Sequence, residues 1–257
     1  MTHTISTTPI ALVTGASRGL GKSTALKLAE GGSDIILTYL SNAAQAHAVV
    51  AQIEALGREA VALQLDVANS KSFDAFAAEV KAALAERFQR ERFDHLVNNA
   101  GTGVHAAFDV TSEAQFDAMV NVHLKGTFFL TQKLLPLIND GGRIVNISSG
   151  LTRFSLPGYS AYAAMKGGVE VLTRYLAKEL AARRIVVNTV APGAIETDFG
   201  AGAVRDNADL KGYIASQTAL GRAGLPDDIG GAIAALFASG CGWVNAQRIE
   251  ASGGMFI

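Results

Sequence analysis

Seven short apolar runs, separated by longer alanine-rich stretches of helical period, constrain the fold of this chain more than any other feature. The runs lie at 10–13, 35–39, 60–65, 95–98, 143–147, 185–190 and 247–250. Strands that are each followed by a helix-length crossover pair in parallel, and a parallel sheet needs helices on both faces to bury it. The expectation is therefore an α/β fold: a single doubly wound domain over 1–257, with a central parallel sheet of about seven strands. Between the second and third runs, Val49, Ile53 and Leu56 recur at i, i+4 and i+7, which predicts one buried helix face. The segment 71–92 carries charges of both signs, with Phe73, Phe76, Val80 and Leu84 at helical spacing, and reads as a surface helix covering the sheet. No Pro/Ser-rich linker, low-complexity tract or internal repeat divides the chain.

Composition narrows the function. With 22 Lys+Arg against 23 Asp+Glu, the chain lacks the charge excess of a nucleic-acid or anionic-membrane binder. At 49% hydrophobic and 18% charged residues it can bury a large core. Its one cysteine, Cys241, cannot close an internal disulfide, no Cys/His cluster has metal-binding spacing, and a reducing compartment is the default. Residues 1–8 are polar without a basic leader, and no apolar span approaches the roughly 18 residues of a membrane helix. A soluble, cytoplasmic protein is expected. The acceptor-like triplet Asn146-Ile147-Ser148 falls in a strand-like run, so it reads as a chance match to a glycosylation signal. His3, His47, His95, His105 and His123 show no ligand spacing and read as structural or surface residues.

The first run ends in Thr14-Gly15-Ala16-Ser17-Arg18-Gly19-Leu20-Gly21 and leads into an amphipathic helix. Glycines in such a turn let the backbone approach a pyrophosphate, while the helix N-terminus offers unpaired N–H groups and the positive end of its dipole. This is chemistry for a dinucleotide on a Rossmann-type sheet, although the spacing is not G-x-G-x-x-G. A rival reading comes from Gly21-Lys22-Ser23, which with the preceding residues nearly spells a triphosphatase phosphate loop. Asp66 is the acid available to hold its magnesium. A glycine turn that only packs helix on strand is a third reading. The end of the second strand, with Tyr39 and Ser41 where the ribose would be met, carries no acid for the ribose hydroxyls, and Arg18 offers a planar charged fork to a 2′-phosphate. NADP(H) is favoured over NAD(H).

Tyr162 and Lys166 lie four residues apart in a helical stretch and emerge on one face. A phenol of pKa about 10 is a poor acid/base near neutrality unless its anion is stabilised; a cation about 4 Å away is worth on the order of 4 kcal/mol, or roughly three pKa units. The lysine is accordingly expected to bring Tyr162 into the working range. The fifth run ends in Ser148-Ser149, thirteen residues before Tyr162, so a hydroxyl leaves the carboxyl edge of the sheet, where open α/β folds bind ligands.

With these motifs in order, the chain resembles the short-chain dehydrogenase/reductase family, particularly its 3-oxoacyl-carrier-protein reductase branch. The resemblance rests on the Thr14–Gly21 turn, Asp66-Val67, Asn98-Asn99-Ala100-Gly101, Asn121-Val122-His123, Ser149, Tyr162-x-x-x-Lys166, Pro192-Gly193-Ala194-Ile195-Glu196-Thr197-Asp198 and Ser252-Gly253-Gly254, and it spans nearly the whole chain. It implies that Tyr162 is the general acid/base and that Ser149 orients the substrate oxygen. Lys166 would lower the Tyr162 pKa and bind the nicotinamide ribose, and Asn121 would hold a water linking Lys166 to solvent. It further implies that Gly15, Ser17, Arg18, Gly19, Leu20 and Gly21 cradle the cofactor, that Asp66 and Val67 meet adenine, and that Asn99, Ala100 and Gly101 line it. Pro192, Gly193, Ile195 and Thr197 belong to the same cofactor wall, Ile195 and Thr197 meeting the carboxamide. A homotetramer is expected from relatives. The segment 71–92 looks longer than usual for the family, and His123 is an unusual ring in its motif.

The function expected is interconversion of a ketone and a secondary alcohol by an NADP(H)-dependent oxidoreductase, with no metal. A non-catalytic dinucleotide sensor on the same fold is the alternative of another class. The substrate, a small carbonyl or alcohol compound, is not readable. Its walls are expected at 150–159, with Arg153, Phe154 and Leu156, and at 195–219, with Leu210 and Tyr213. Arg153 reads either as a contact for an anionic or phosphopantetheine-linked substrate or as a solvated surface residue.

Overall fold

The structure, a computed structural model, describes residues 8–257; His3 and the polar leader before residue 8 lie outside it. In chain order the elements are β1 (Ile10–Val13), α1 (Gly19–Glu30), β2 (Asp34–Tyr39), α2 (Ala43–Ala55), β3 (Ala60–Gln64), α3 (Phe73–Arg87), β4 (Phe93–Asn98), α4 (Glu113–Met119), α5 (Gly126–Leu134), β5 (Ile138–Ile147), α6 (Ser160–Glu179), β6 (Val186–Pro192), α7 (Ala203–Asp206), α8 (Ala208–Ser216), α9 (Pro226–Phe237) and β7 (Arg248–Ala251). A π-helical turn, Val120–Lys125, joins α4 to α5. The seven strands form one sheet in the order β3-β2-β1-β4-β5-β6-β7, and every adjacent pair is parallel. The winding reverses between β1 and β4. At such a switch point two crossovers diverge and leave a crevice beyond the carboxyl ends of the strands.

Alternation along β1 separates the two cores. Ile10 and Leu12 face one side, packed with Phe73, Phe76, Val80 and Leu84 of α3 and Leu130 and Leu134 of α5. Ala11 and Val13 face the other, against Ala25 and Leu28 of α1, Val49 and Ile53 of α2, and Ile229 and Ile233 of α9. Each large side chain buried in this way contributes about 1.5–3 kcal/mol, so the helices are held on both faces by apolar area rather than by polar pairing.

Departures from the sequence reading have local causes. β5 begins at Ile138, five residues earlier than expected, because Ile138 pairs with Phe93 ahead of a register shift. Leu56 is exposed, since α2 ends at Ala55 and the residue that caps it leaves the buried face. The segment 71–92 is helical only to Arg87; Phe88 turns back into the core and Gln89 takes a positive φ of 54°. Asn146 is wholly buried, giving its amide to Thr173 Oγ1 and accepting from Asn98, so it offers no glycan acceptor. Among the described residues, no helix is long and apolar enough to cross a membrane.

His95 on β4 stacks on Phe237 of α9, with ring centroids 4.6 Å apart and planes 17° from parallel. Burial lowers its pKa from 6.5 to about 4. The unfolded chain thus binds a proton that the folded chain refuses, and stability falls as pH drops below the unfolded pKa. His95→Phe should raise unfolding stability at pH 5 by about 2 kcal/mol and change it little at pH 8, as read by urea denaturation at the two pH values.

Candidate active site

The turn after β1 is shaped at two positions that only glycine satisfies. Gly15 has φ +66°, and a Cβ there would lie 2.8 Å from Ala100 Cα; a Cβ on Gly21 would lie 2.5 Å from Asn99 Nδ2 and overlap the Gly15 carbonyl. The Asn99 amide donates to the carbonyls of Thr14 (2.8 Å) and Gly15 (3.2 Å). Thr14 Oγ1 in turn accepts from the N–H groups of Asn99 and Ala100. Asn99 therefore lines the crevice mainly by bracing the turn. The first turn of α1 has no side-chain cap and no acid, so its N–H groups face the crevice unopposed. This cradle fits a dinucleotide pyrophosphate. Across the crevice, Thr197 lies 3.8 Å from the Cβ position of Gly19.

α6 carries a buried stripe of Tyr162, Lys166, Val169, Thr173 and Ala177. Thr173 fixes its register, because the hydroxyl accepts from Asn146 of β5 (2.9 Å) and Thr189 of β6 (2.8 Å). Seven residues earlier, Lys166 Nζ donates to the Ile147 carbonyl at 2.7 Å, and it stands 5.6 Å from the centroid of the Tyr162 ring. Ser149 follows β5, where its carbonyl accepts from Thr152 Oγ1 (2.9 Å) and from Arg248 of β7 (3.3 Å). Glu170 ties this turn down, accepting from Ser148 Oγ, Thr152 Oγ1 and Arg248 Nε at 2.6–2.8 Å. Ser149, Tyr162 and Lys166 thus converge at the carboxyl edge, beside the crevice.

The electrostatics correct one expectation. Tyr162 is pushed above its ordinary pKa because burial penalises the phenolate, while the Ser149 hydroxyl pulls the other way. Lys166 falls from 10.5 to about 7 through burial of its ammonium. The lysine does not bring the phenol into the neutral range in this arrangement. Its own charge is desolvated, and burial is the leading cause of both shifts.

Other expected residues fall where the local chemistry takes them. Tyr39 closes β2, with Ser41 just beyond it, and no acid follows that strand. Asp66 accepts from Ala68 N (2.9 Å) in the turn after β3, and the Val67 carbonyl packs on Gly126. Gly193 N bonds the Ala251 carbonyl (3.1 Å), which fixes Pro192-Gly193 at the end of β6, and Ile195 bridges Gly224. Arg18 pairs with Asp198 at 3.2 Å, both largely exposed. Ser23 donates to Asp227 at 2.6 Å, so its hydroxyl is turned to α9 and away from a phosphate-loop magnesium. Arg153 lies exposed at the surface with its guanidinium paired: it grips Glu250 with two bonds of 2.6 and 2.7 Å and donates to the Met255 and Phe256 carbonyls. In the wall at 195–219, Phe199 leans on Tyr162, ring centroids 5.5 Å apart, a contact that helical periodicity does not reveal.

Asn121 is half-buried on the π-helical turn, with its carbonyl against Gly126. The ring that meets Tyr162 from this turn is that of His123, edge to face at 5.1 Å and 89°. A widened helical turn is the signal that could have pointed there, but no residue pattern marks it in advance.

Fold and site together define an α/β oxidoreductase built around a dinucleotide crevice. A profile described as enoyl-(acyl carrier protein) reductase matches residues 15–256. A 3-oxoacyl-[acyl-carrier-protein] reductase of Staphylococcus aureus is 39% identical over 253 residues, covering 97% of this chain and 99% of that protein. An uncharacterized oxidoreductase of Methylorubrum extorquens is 37% identical over 246 residues, covering 96% and 97%. Among solved structures, the promiscuous reductase LugOII, which catalyses keto-reduction at C1 during lugdunomycin biosynthesis, matches with TM-score 0.91 at 37% identity over 97% of this chain and 98% of its own. The angucycline C-6 ketoreductase LanV with bound NADP matches with TM-score 0.91 at 33% identity, covering 96% and 95%. The chain belongs to the short-chain dehydrogenase/reductase family and is an oxidoreductase of alcohol and keto groups.

The buried ammonium has a cost that stability measurements can read. The folded pKa of Lys166 lies below the unfolded one, so its penalty is fully present below pH 7 and fades as pH rises from 7 towards 10.5. Lys166→Met should therefore stabilise the fold at pH 6 by roughly 1–4 kcal/mol, with a smaller gain at pH 9, as read by chemical denaturation at both pH values.

Proposed function

We propose that this protein is an NADP(H)-dependent ketoreductase that interconverts a ketone and a secondary alcohol, with Tyr162 as its acid/base. The observation that carries the reading is the convergence of the Tyr162 phenol, the Ser149 hydroxyl and the Lys166 ammonium at the carboxyl edge, beside a glycine cradle shaped for a pyrophosphate. When bound, the nicotinamide supplies or accepts the hydride. The protein's own residues handle the proton and the geometry. Ser149 holds the carbonyl oxygen, and Tyr162 gives it a proton as negative charge develops there. A phenol held protonated by burial suits this direction, because an alkoxide is a far stronger base than a phenolate. The adjacent Lys166 cation then stabilises the phenolate left behind, and its pKa of about 7 lets it exchange protons near neutrality. Positioned groups of this kind typically give about 10² to 10⁴-fold.

Arg18 is the residue proposed to select NADP(H). Its ion pair with Asp198 is exposed and worth only about 0–1 kcal/mol, so a 2′-phosphate competes for the same fork with two parallel bonds. The remaining cofactor contacts are proposed for the turn Gly15–Gly21, for Tyr39, Ser41, Asp66 and Val67, for Asn99 to Gly101, and for the wall from Pro192 to Thr197. The chain is proposed to act as one domain in the cytoplasm, with substrate loops at 150–159 and 195–219. A homotetramer accompanies this reading; exposed Phe128 and Phe129 on α5, and Val171 and Tyr175 on α6, are apolar surface for a second copy. The NADP-bound and keto-reducing relatives support a small-molecule ketone as substrate.

Tyr162→Phe should lose at least a hundredfold of ketone turnover, followed by NADPH absorbance across a carbonyl panel, while NADPH affinity by fluorescence titration stays within a few-fold. Retained activity in this variant would overturn the mechanism. Arg18→Ala should raise KM for NADPH at least tenfold and leave KM for NADH nearly unchanged, measured by steady-state kinetics with each coenzyme.

A further inference from the structure

Glu170 follows Lys166 by four residues, so its carboxylate leaves α6 on the side that carries the ammonium. A single atom of it, Oε1, accepts from Ser148 Oγ (2.6 Å), Thr152 Oγ1 (2.7 Å) and Arg248 Nε (2.8 Å). Ser148 precedes Ser149 and Thr152 follows it by three residues, so the chain on both sides of the serine is drawn to one oxygen. Ser148 is 1% exposed, and its hydroxyl is an anchor, closed off from any substrate. Between the two anchors the backbone makes one short 3₁₀ turn, Gly150–Thr152, and Ser149 caps it by accepting from Leu151 N at 3.2 Å. A turn of this length holds little on its own. It is fixed instead through the same cluster: the Thr152 hydroxyl hydrogen is shared between Glu170 and the Ser149 carbonyl (2.9 Å), and Arg248 Nη2 reaches Thr152 Oγ1 (3.1 Å) and that carbonyl (3.3 Å). Arg248 is steadied from its other side by Glu250 at 2.9 Å. Hydrogen bonds to an ionised acceptor are roughly twice as strong as neutral ones, and the guanidinium supplies the counter-charge for a carboxylate only 14% exposed.

We propose that Glu170 is the positioning residue for Ser149: one carboxylate oxygen clamps the chain on both sides of the serine to the helix that carries Tyr162 and Lys166, and so fixes the separation of the serine hydroxyl and the phenol. The inference rests on the reading of Ser149 as the group that holds the substrate oxygen. That oxygen must be met by Ser149 and Tyr162 together, and the two come from different elements, the end of β5 and the first turn of α6. Thirteen residues of chain separate them, too many for covalent geometry to set their distance. The clamp sets it, acting through the serine turn rather than on the substrate, and its own protonation does not enter the reaction. A displacement of about 1 Å between such groups costs on the order of a hundredfold in rate.

The test asks whether the clamp works through the serine. Glu170→Ala removes it, and Thr152→Val removes the hydroxyl that joins Glu170 to the Ser149 carbonyl while keeping the shape of the side chain. If the inference holds, Glu170→Ala loses about thirtyfold to a hundredfold in kcat for ketone reduction and Thr152→Val about fivefold, while NADPH affinity by fluorescence titration stays within about threefold of wild type in both. Thr152→Ser, which restores the hydroxyl, regains most of the loss seen in Thr152→Val. The losses also fail to multiply: in a Ser149→Ala background, Glu170→Ala and Thr152→Val each cost less than about twofold further. A role in stability alone lowers kcat by the same factor in both backgrounds, and that result would overturn the inference, as would Glu170→Ala with wild-type kcat. Should Glu170→Ala not fold, the Thr152 and Ser149 variants complete the same cycle by themselves. If Ser149→Ala is slow while Glu170→Ala and Thr152→Val turn over normally, only the role of Glu170 falls; if Ser149→Ala keeps full activity, the reading of Ser149 falls first.

Discussion

The hydrogen bond from Lys166 Nζ to the Ile147 carbonyl, 2.7 Å long and closed off from water, is the constraint around which the cleft is arranged. A buried ammonium must find acceptors, and the last carbonyl of β5 is within its reach only if α6 lies on the sheet at one rotation. Thr173 enforces that rotation one heptad later by accepting from Asn146 and Thr189. With the roll of the helix set at two points, Tyr162 has one place to go. Its ring lies beneath the lysine, faces His123 from one side and leans on Phe199 of the substrate wall.

The same burial that orders the pair also works against ionising it. Both groups are driven towards neutrality, the phenol upward and the ammonium downward, because burial penalises the charged form of each. A site in this condition stores its acid in protonated form. In the proposed reaction that state suits proton delivery to a developing alkoxide.

Much of this was legible in the residue order, and what was not has physical reasons. The sheet could be read because each strand is an apolar run set off by a helix-length insert, and a two-residue alternation such as Ile10-Ala11-Leu12-Val13 divides itself between two faces. The glycine turn could be read because Gly15 and Gly21 answer to backbone geometry rather than to context. Tyr162 and Lys166 could be paired because an α-helix places i and i+4 together. That arithmetic does not extend to Asn121 and His123, where the turn is π-helical and the ring that meets Tyr162 is that of His123. It failed for the sign of the Tyr162 shift, since a distance between two groups says nothing of how much water each has lost. The pairing of Arg153 was not legible because its partner, Glu250, is 97 residues away.

Arg248 on β7 holds the Ser149 carbonyl and the Glu170 carboxylate, and Glu250 on the same strand holds Arg153. The serine turn is thereby stapled by the strand translated last of the seven. Without β7 the turn would lack the cation that braces it. The geometry of the serine turn therefore depends on a strand that pairs at the far edge of the sheet, about a hundred residues along the chain from the turn it braces.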